Sequence, residues 1–170
     1  MSEPAGVLIG ESFIGDGAEA AHINTVLGHR AGPVGTAWAT ALATPRQGHS
    51  AFVVVLRPNL PVKPLTLFVN KAAIADERHG DLTWGAAQAG VAGGVADAVV
   101  DGVISEKDAE ELVLIAAVWV NPAASDAGLV YRNNRTATRQ ALENGVVGTP
   151  KVADVLASRH APANPFFTPA

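Results

Sequence analysis

The sequence predicts an α+β layer fold, one sheet covered by helices, and three observations lead there. Apolar runs of strand length, "GVLIGESFIG", "AAHINTVLG", "SAFVVVLRP", "LTLFVNKAAI" and "ELVLIAAVWV", are divided by Gly- and Pro-containing turns. Stretches with apolar residues three or four apart lie between and after them, as helices require. No run opens onto a phosphate-binding glycine loop, since "GHRAGPVG" fits neither G-x-G-x-x-G nor the P-loop. The order is therefore strand, strand, helix, strand, strand, helix, strand, helix. A chain of 170 residues is long enough to bury a core as one domain, placed at 1–150, with 151–170 as an extended C-terminal arm.

The first strand closes on Gly15-Asp16-Gly17, a tight turn because glycine takes positive φ without strain. In the second, alternation puts Ile23, Thr25 and Leu27 on one face and His22, Asn24 and Val26 on the other. Val34, Trp38 and Leu42 recur every fourth residue in a helix that Pro45 stops. "SAFVVVLRP" is continuously apolar and reads as a buried strand; "NLPVKP" reads as a loop, because proline donates no ladder hydrogen bond. The next strand carries Leu65, Leu67, Val69, Lys71 and Ala73 on one face, with a lysine inside an apolar row.

From Asp81 to Val100, Gln88, Val91, Val95 and Val99 form a helical stripe. Gly93 and Gly94 each cost about 1 kcal/mol relative to Ala inside a helix, so something approaches closely there. Ser105 opens a capped turn in "SEKD", ahead of the last strand. Asn121 and Pro122 then have the N-cap and N1 chemistry of a helix running to Asn144-Gly145.

Composition excludes several classes of function. With no cysteine there is no disulfide framework, thiol catalysis or cysteine zinc site. Net charge is −4 and the twelve Lys and Arg are scattered, so no basic stripe marks a nucleic-acid partner. "LVLIAAVWV" is half the length of a membrane span, and "MSEPAG" has no secretion-signal pattern, which points to a cytoplasmic protein.

None of the five histidines stands at ligand spacing from another, so no metal is expected. His29 in a Gly-rich turn, His79 after Asp-Glu-Arg and His160 in the tail read as solvated. The acids cluster in turn and helix contexts rather than as an isolated pair. His22 reads on pattern alone as a half-buried strand histidine bonded to a neighbour, with an acid–base group as the other reading. Lys71 fits a binding cation or an edge-strand gatekeeper, and Gln88 alone is unremarkable.

"GESFIGDGAEAAHIN", "RPNLPVKPLTLFVNKAAI", "AAQAGVAGGVADAV" and "TATRQALENGVVGTPK" together resemble the formaldehyde-activating enzyme family over Val7 to Lys151. The resemblance implies an α/β sandwich of the ribosomal protein S5 domain 2-like kind. It also implies a homopentamer with pterin clefts between subunits. The implied activity condenses formaldehyde with tetrahydromethanopterin as co-substrate, releasing water, with no metal. The family's proton-donating histidine falls on His22, and its pterin-contacting positions on Asn24, Val53, Lys71, Ala73 and Gln88.

Two of those positions depart from the family pattern, Asn24 standing for aspartate and Ala73 for threonine. "WVNPAASDAG" also differs from the family's aromatic, histidine-containing stretch. In the implied chemistry an amine adds to formaldehyde and the resulting hydroxyl leaves as water. A histidine suits the acid that assists this departure near neutral pH. Asn24 keeps an acceptor on the His22 face but removes the charge, and Ala73 removes a hydroxyl whose hydrogen bond is worth about 0.5–1.5 kcal/mol. The alternative implied by these losses is a non-catalytic paralogue that binds or senses formaldehyde or a pterin.

Overall fold

The computed structural model describes residues 6–170. Seven strands and six helices follow one another as β1 (Leu8–Ile14), β2 (Ala21–His29), α1 (Pro33–Ala43), β3 (Phe52–Val53), β4 (Val55–Arg57), β5 (Leu60–Pro61), β6 (Leu65–Asn70), α2 (Glu77–Asp81), α3 (Gln88–Val100), α4 (Glu106–Glu111), β7 (Leu112–Trp119), α5 (Ala127–Val147) and α6 (Val152–Ala157). Five strands form one mixed sheet in the order β1-β2-β7-β6-β3. Only β6 and β7 run parallel. The predicted α+β architecture is therefore the observed one.

Alternation in β2 decides which face is buried. Ile23, Thr25 and Leu27 lie in one layer with Leu114, Ala116 and Val118 of β7, all almost wholly buried. Against that layer pack Val91 and Val95 of α3 and Val130, Ala137, Ala141 and Leu142 of α5. α5 crosses β1 so closely that a Cβ on Gly10 would stand 1.8 Å from the Ala141 carbonyl oxygen. The expected close approach along α3 is real. A Cβ on Gly94 would meet the Arg135 carbonyl oxygen at 2.5 Å, and one on Gly90 the Tyr131 oxygen at 2.5 Å. Arg135 ties the same two helices by a fork onto Asp97, at 2.6 and 2.7 Å.

On the opposite face α1 covers only one end of the sheet, with Val34 as its buried anchor; Leu42 of the predicted stripe is exposed. The other end is left open around His22.

Several boundaries differ from the sequence reading. "SAFVVVLRP" is two short strands, because β4 turns away to pair with β5, and Val54 alone remains wholly buried. The loop expected at "NLPVKP" contains that β5, and Asn59 supplies the positive φ (68°) that the Pro58-Asn59 turn needs. Leu82–Ala87, expected as regular helix, forms a π-helical segment between α2 and α3. Asn121-Pro122 does not open the last helix. The Asn121 side chain caps its own turn through the Ala123 amide, whereas Asp126 accepts from Leu129 and starts α5. Gly148, at φ 69°, ends that helix. The arm from 151 begins as α6 rather than in extended form, its first turn closed by Asp154 accepting from the Lys151 amide.

His79, expected in solvent, is buried with both ring nitrogens satisfied by backbone groups. Nδ1 accepts from the Ala75 amide at 3.1 Å, so the proton sits on Nε2 and donates to the Val120 carbonyl at 2.8 Å. The ring thus pins the start of α2 to the end of β7. Among the described residues no helix is long and apolar enough to cross a membrane.

Gly94→Ala is expected to lower stability by about 1–3 kcal/mol through overpacking against α5. Gly85→Ala, where a Cβ meets nothing within 4 Å, is expected to be neutral or to stabilise by about 0.5 kcal/mol. Urea denaturation midpoints of the two variants check both signs.

Candidate active site

Strand register assembles the open end of the sheet. Phe13 of β1 pairs with His22, and His22 pairs with Trp119 of β7, so three side chains stand in one row across the sheet. Glu11, Asn24 and Ala117 form the next row. β6 ends at Asn70, but the Lys71 amide still donates to the Val118 carbonyl at 2.8 Å. That bond extends the parallel pairing by one residue and sets Lys71 on the same face as Trp119 and His22. Ala73, expected to continue the row, lies beyond it in the exposed turn beside Gly48.

The side chains meet at hydrogen-bonding distance. His22 Nε2 lies 2.9 Å from Glu11 Oε1. An ionised carboxylate only accepts, so Nε2 carries the hydrogen and Nδ1 is left as an acceptor in the neutral ring. Lys71 Nζ stands 3.3 Å from that Nδ1 and 2.6 Å from Asn24 Oδ1. Phe13 lies against His22 with ring centroids 5.8 Å apart.

These groups line a cavity of about 660 Å³. Its remaining wall is the C-terminal segment 163–166, whose Phe166 meets Trp119 edge-on at 6.1 Å. Burial in these surroundings lowers the Lys71 ammonium from its ordinary 10.5 to about 8, against a smaller opposing pull from the Glu11 charge.

Three of the residues singled out from sequence, His22, Asn24 and Lys71, are thus brought together. The other three are not. Val53 pairs with Leu67 at the far edge of the sheet, three strands from His22. Gln88 starts α3 on the other side of the sheet and accepts from the Val55 amide at 2.7 Å. Ala73 projects near Gly48. Glu11, Phe13 and Trp119 are not singled out by the sequence; their signal is the pairing of their strands with β2 around His22 and Asn24, which alternation alone does not specify. Among the described residues, no group of three or more His, Cys, Asp or Glu is placed to hold a metal ion.

A lysine more easily deprotonated folded than unfolded weakens the fold below its folded pKa. Stability then rises with pH between about 8 and 10.5, where the unfolded chain holds the extra proton. Lys71→Met is therefore expected to be more stable than wild type at neutral pH, the gap closing across that window. Thermal unfolding as a function of pH measures it.

The family description "Formaldehyde-activating enzyme (Fae)" matches residues 9–167. The chain is 42% identical over 159 residues to the 5,6,7,8-tetrahydromethanopterin hydro-lyase of Methanosarcina barkeri (strain Fusaro / DSM 804), covering 94% of this chain and 89% of that protein. It is 43% identical over 150 residues to the bifunctional enzyme Fae/Hps of Methanococcoides burtonii, covering 88% of this chain but only 38% of that longer protein. The Fae/Hps enzyme of Methanosarcina barkeri is 42% identical over 148 residues, again with 38% of its length spanned. With a family match over nearly its whole length, the chain belongs to the formaldehyde-activating enzyme family.

Proposed function

We propose that this chain condenses formaldehyde with tetrahydromethanopterin, forming the methylene derivative and water, with His22 as the general acid. The observation that carries the reading is the meeting of His22, Asn24 and Lys71 at one cavity wall, in a chain 42% identical to a tetrahydromethanopterin hydro-lyase.

The chemistry asks little beyond orientation and one proton. Hydroxide is a poor leaving group, so the slow event is loss of the hydroxyl formed when an amine adds to the aldehyde. His22, with Nε2 held by Glu11, presents Nδ1 to the cavity and delivers the proton there when the ring is charged. Both amines that capture the carbon come from one bound co-substrate, so holding it still supplies much of the rate. Phe13, Trp119 and Phe166 offer aromatic faces and edges suited to a flat heterocycle, and Asn24 offers both a donor and an acceptor.

Val53, Ala73 and Gln88 belong to this reading through a homopentamer, in which a cleft shared between neighbouring subunits gathers residues that stand apart in one chain. Residues 1–150 act as the catalytic domain, of which 1–5 lie outside the described residues, and 151–170 as an arm over the cavity. A cytoplasmic setting fits a reduced, soluble co-substrate.

Two measurements test this. Wild type should accelerate the condensation over the spontaneous background, followed by absorbance. His22→Ala should lose about 10²–10⁴-fold of that acceleration, the range for a removed general acid; equal rates for both would exclude the assigned role. Light scattering should give five times the chain mass, and a stable monomer would remove the shared cleft.

A further inference from the structure

The hydrogen bonds around Lys71 use its amine in an unusual way. A neutral amine has two hydrogens and one lone pair, and two acceptors are in place, Asn24 Oδ1 at 2.6 Å and His22 Nδ1 at 3.3 Å. With both hydrogens engaged, the remaining tetrahedral direction of Nζ is the lone pair, and Lys71 lines the cavity. Behind the imidazole, Glu11 fixes the tautomer from Nε2. Carboxylate, imidazole and amine thus stand in series, as in a nucleophile activated by an oriented base.

From this geometry we infer that Lys71 is a nucleophile that captures formaldehyde covalently, with His22 moving the protons and Glu11 orienting His22. The inference deepens the proposed condensation and rests on that reading for its place in the reaction.

The steps balance. The Nζ lone pair attacks the aldehyde carbon, the carbonyl π pair moves to oxygen, and one Nζ hydrogen passes to that oxygen through His22. The product is Lys71–NH–CH₂OH. His22 next takes up a proton at Nδ1 from solvent and delivers it to the hydroxyl as the C–O bond breaks; water leaves, and the nitrogen lone pair forms Lys71–NH⁺=CH₂. An amine of the co-substrate attacks this carbon, the hydrogen of that amine passes to Nζ, and Lys71 departs as the neutral amine, leaving the methylene iminium on the co-substrate. When the second amine of the co-substrate closes on the carbon it loses its hydrogen through His22 to solvent, which restores the proton taken up earlier. Formaldehyde and the diamine go in, the methylene product and water come out, and no redox partner is needed.

The groups facing Lys71 suit the role. Glu11 from β1 and His22 from β2 are the titratable neighbours at the cavity; Asn24 is neutral, and Phe13 and Trp119 are apolar. The nearer of the two partners of Nζ is an amide, where an aspartate would hold the ammonium as an ion pair. Burial supports the same direction, bringing Lys71 to about 8. About a tenth of such amines are neutral at neutral pH, against well under a thousandth for an ordinary lysine. The other three lysines lack this setting: Lys63 is paired with Glu110 at 2.8 Å, Lys151 donates to the Val147 carbonyl, and Lys107 is exposed on α4.

The test uses formaldehyde alone, without a pterin. Wild type is exposed briefly at neutral pH to formaldehyde and cyanoborohydride, which reduces the iminium to N-methyl-lysine, and peptide mass mapping locates the added carbon. Lys71 should be labelled at least about tenfold faster than Lys63, Lys107 or Lys151. Asn24→Asp should bring Lys71 down toward the rate of the others, and Glu11→Gln should lower the yield of the His22-assisted dehydration. Labelling of Lys71 no faster than the other three lysines in folded wild type overturns the inference. If condensation is accelerated while Lys71 is not trapped, the proposed function stands and this inference falls. If Lys71 is trapped while condensation stays at background, capture stands and the pterin reaction falls.

Discussion

One backbone hydrogen bond, from the Lys71 amide to the Val118 carbonyl, governs where the polar groups of the cavity meet. β6 and β7 form the only parallel pair in the sheet, and this bond carries their pairing one residue past the end of β6. Without it the chain would leave the sheet at Asn70, and the lysine side chain would have no fixed direction. With it, Lys71 takes the same facing as Trp119, and β2 brings His22 and Asn24 beneath the ammonium. Asn70 reinforces the exit by donating to the Gly48 and Ala72 carbonyls at 2.9 and 2.8 Å. The turn that follows is thereby held while its side chains remain outside the row.

The electrostatics of the site follow from what Asn24 is not. A carboxylate 2.6 Å from an ammonium would favour the charged lysine, and desolvation would then be opposed by a strong ion pair. The amide gives Lys71 an acceptor without a charge, so burial wins and the amine is released toward neutrality. The site still holds a carboxylate. It sits on Glu11, one strand away, where it meets the imidazole instead of the amine. With an amide at position 24, the carboxylate that lines this cavity pairs with His22 and not with Lys71.

Much of this was legible in the sequence, and the reasons for the rest are specific. Strand alternation places His22 and Asn24 on one face because its period does not depend on partners, and the lysine in an apolar row marks Lys71. Glu11 was illegible because register across β1 and β2 decides whether it faces His22, and a polar residue on an edge strand needs no explanation. His79 was misread because its partners, the Ala75 amide and the Val120 carbonyl, are provided by chain geometry, not by neighbouring side chains. At the start of α5 two plausible caps competed. Asp126 won because the segment before it is held elsewhere: Glu19 accepts from the Ser125 and Asp126 amides, which also keeps its own carboxyl below the usual range. A cap signal in sequence says that a helix can begin there; tertiary anchoring chooses among the candidates.

The C-terminal segment adds what the sheet cannot supply by itself. A sheet face open at one end orients side chains but leaves them in water, where a lysine stays charged and an iminium is quickly hydrolysed. Residues 163–166 close one side of the cavity, with Phe166 against Trp119. Phe166 stands perpendicular to the indole and is itself 80% exposed, so most of its surface is left to solvent. The wall is thus covered without being locked into the core. Strand pairing fixes the directions of Glu11, His22, Asn24 and Lys71, while the aromatic pair restricts the water around them. The proposed nucleophile and acid need both, because orientation decides which atoms meet and desolvation decides in which protonation state they do so.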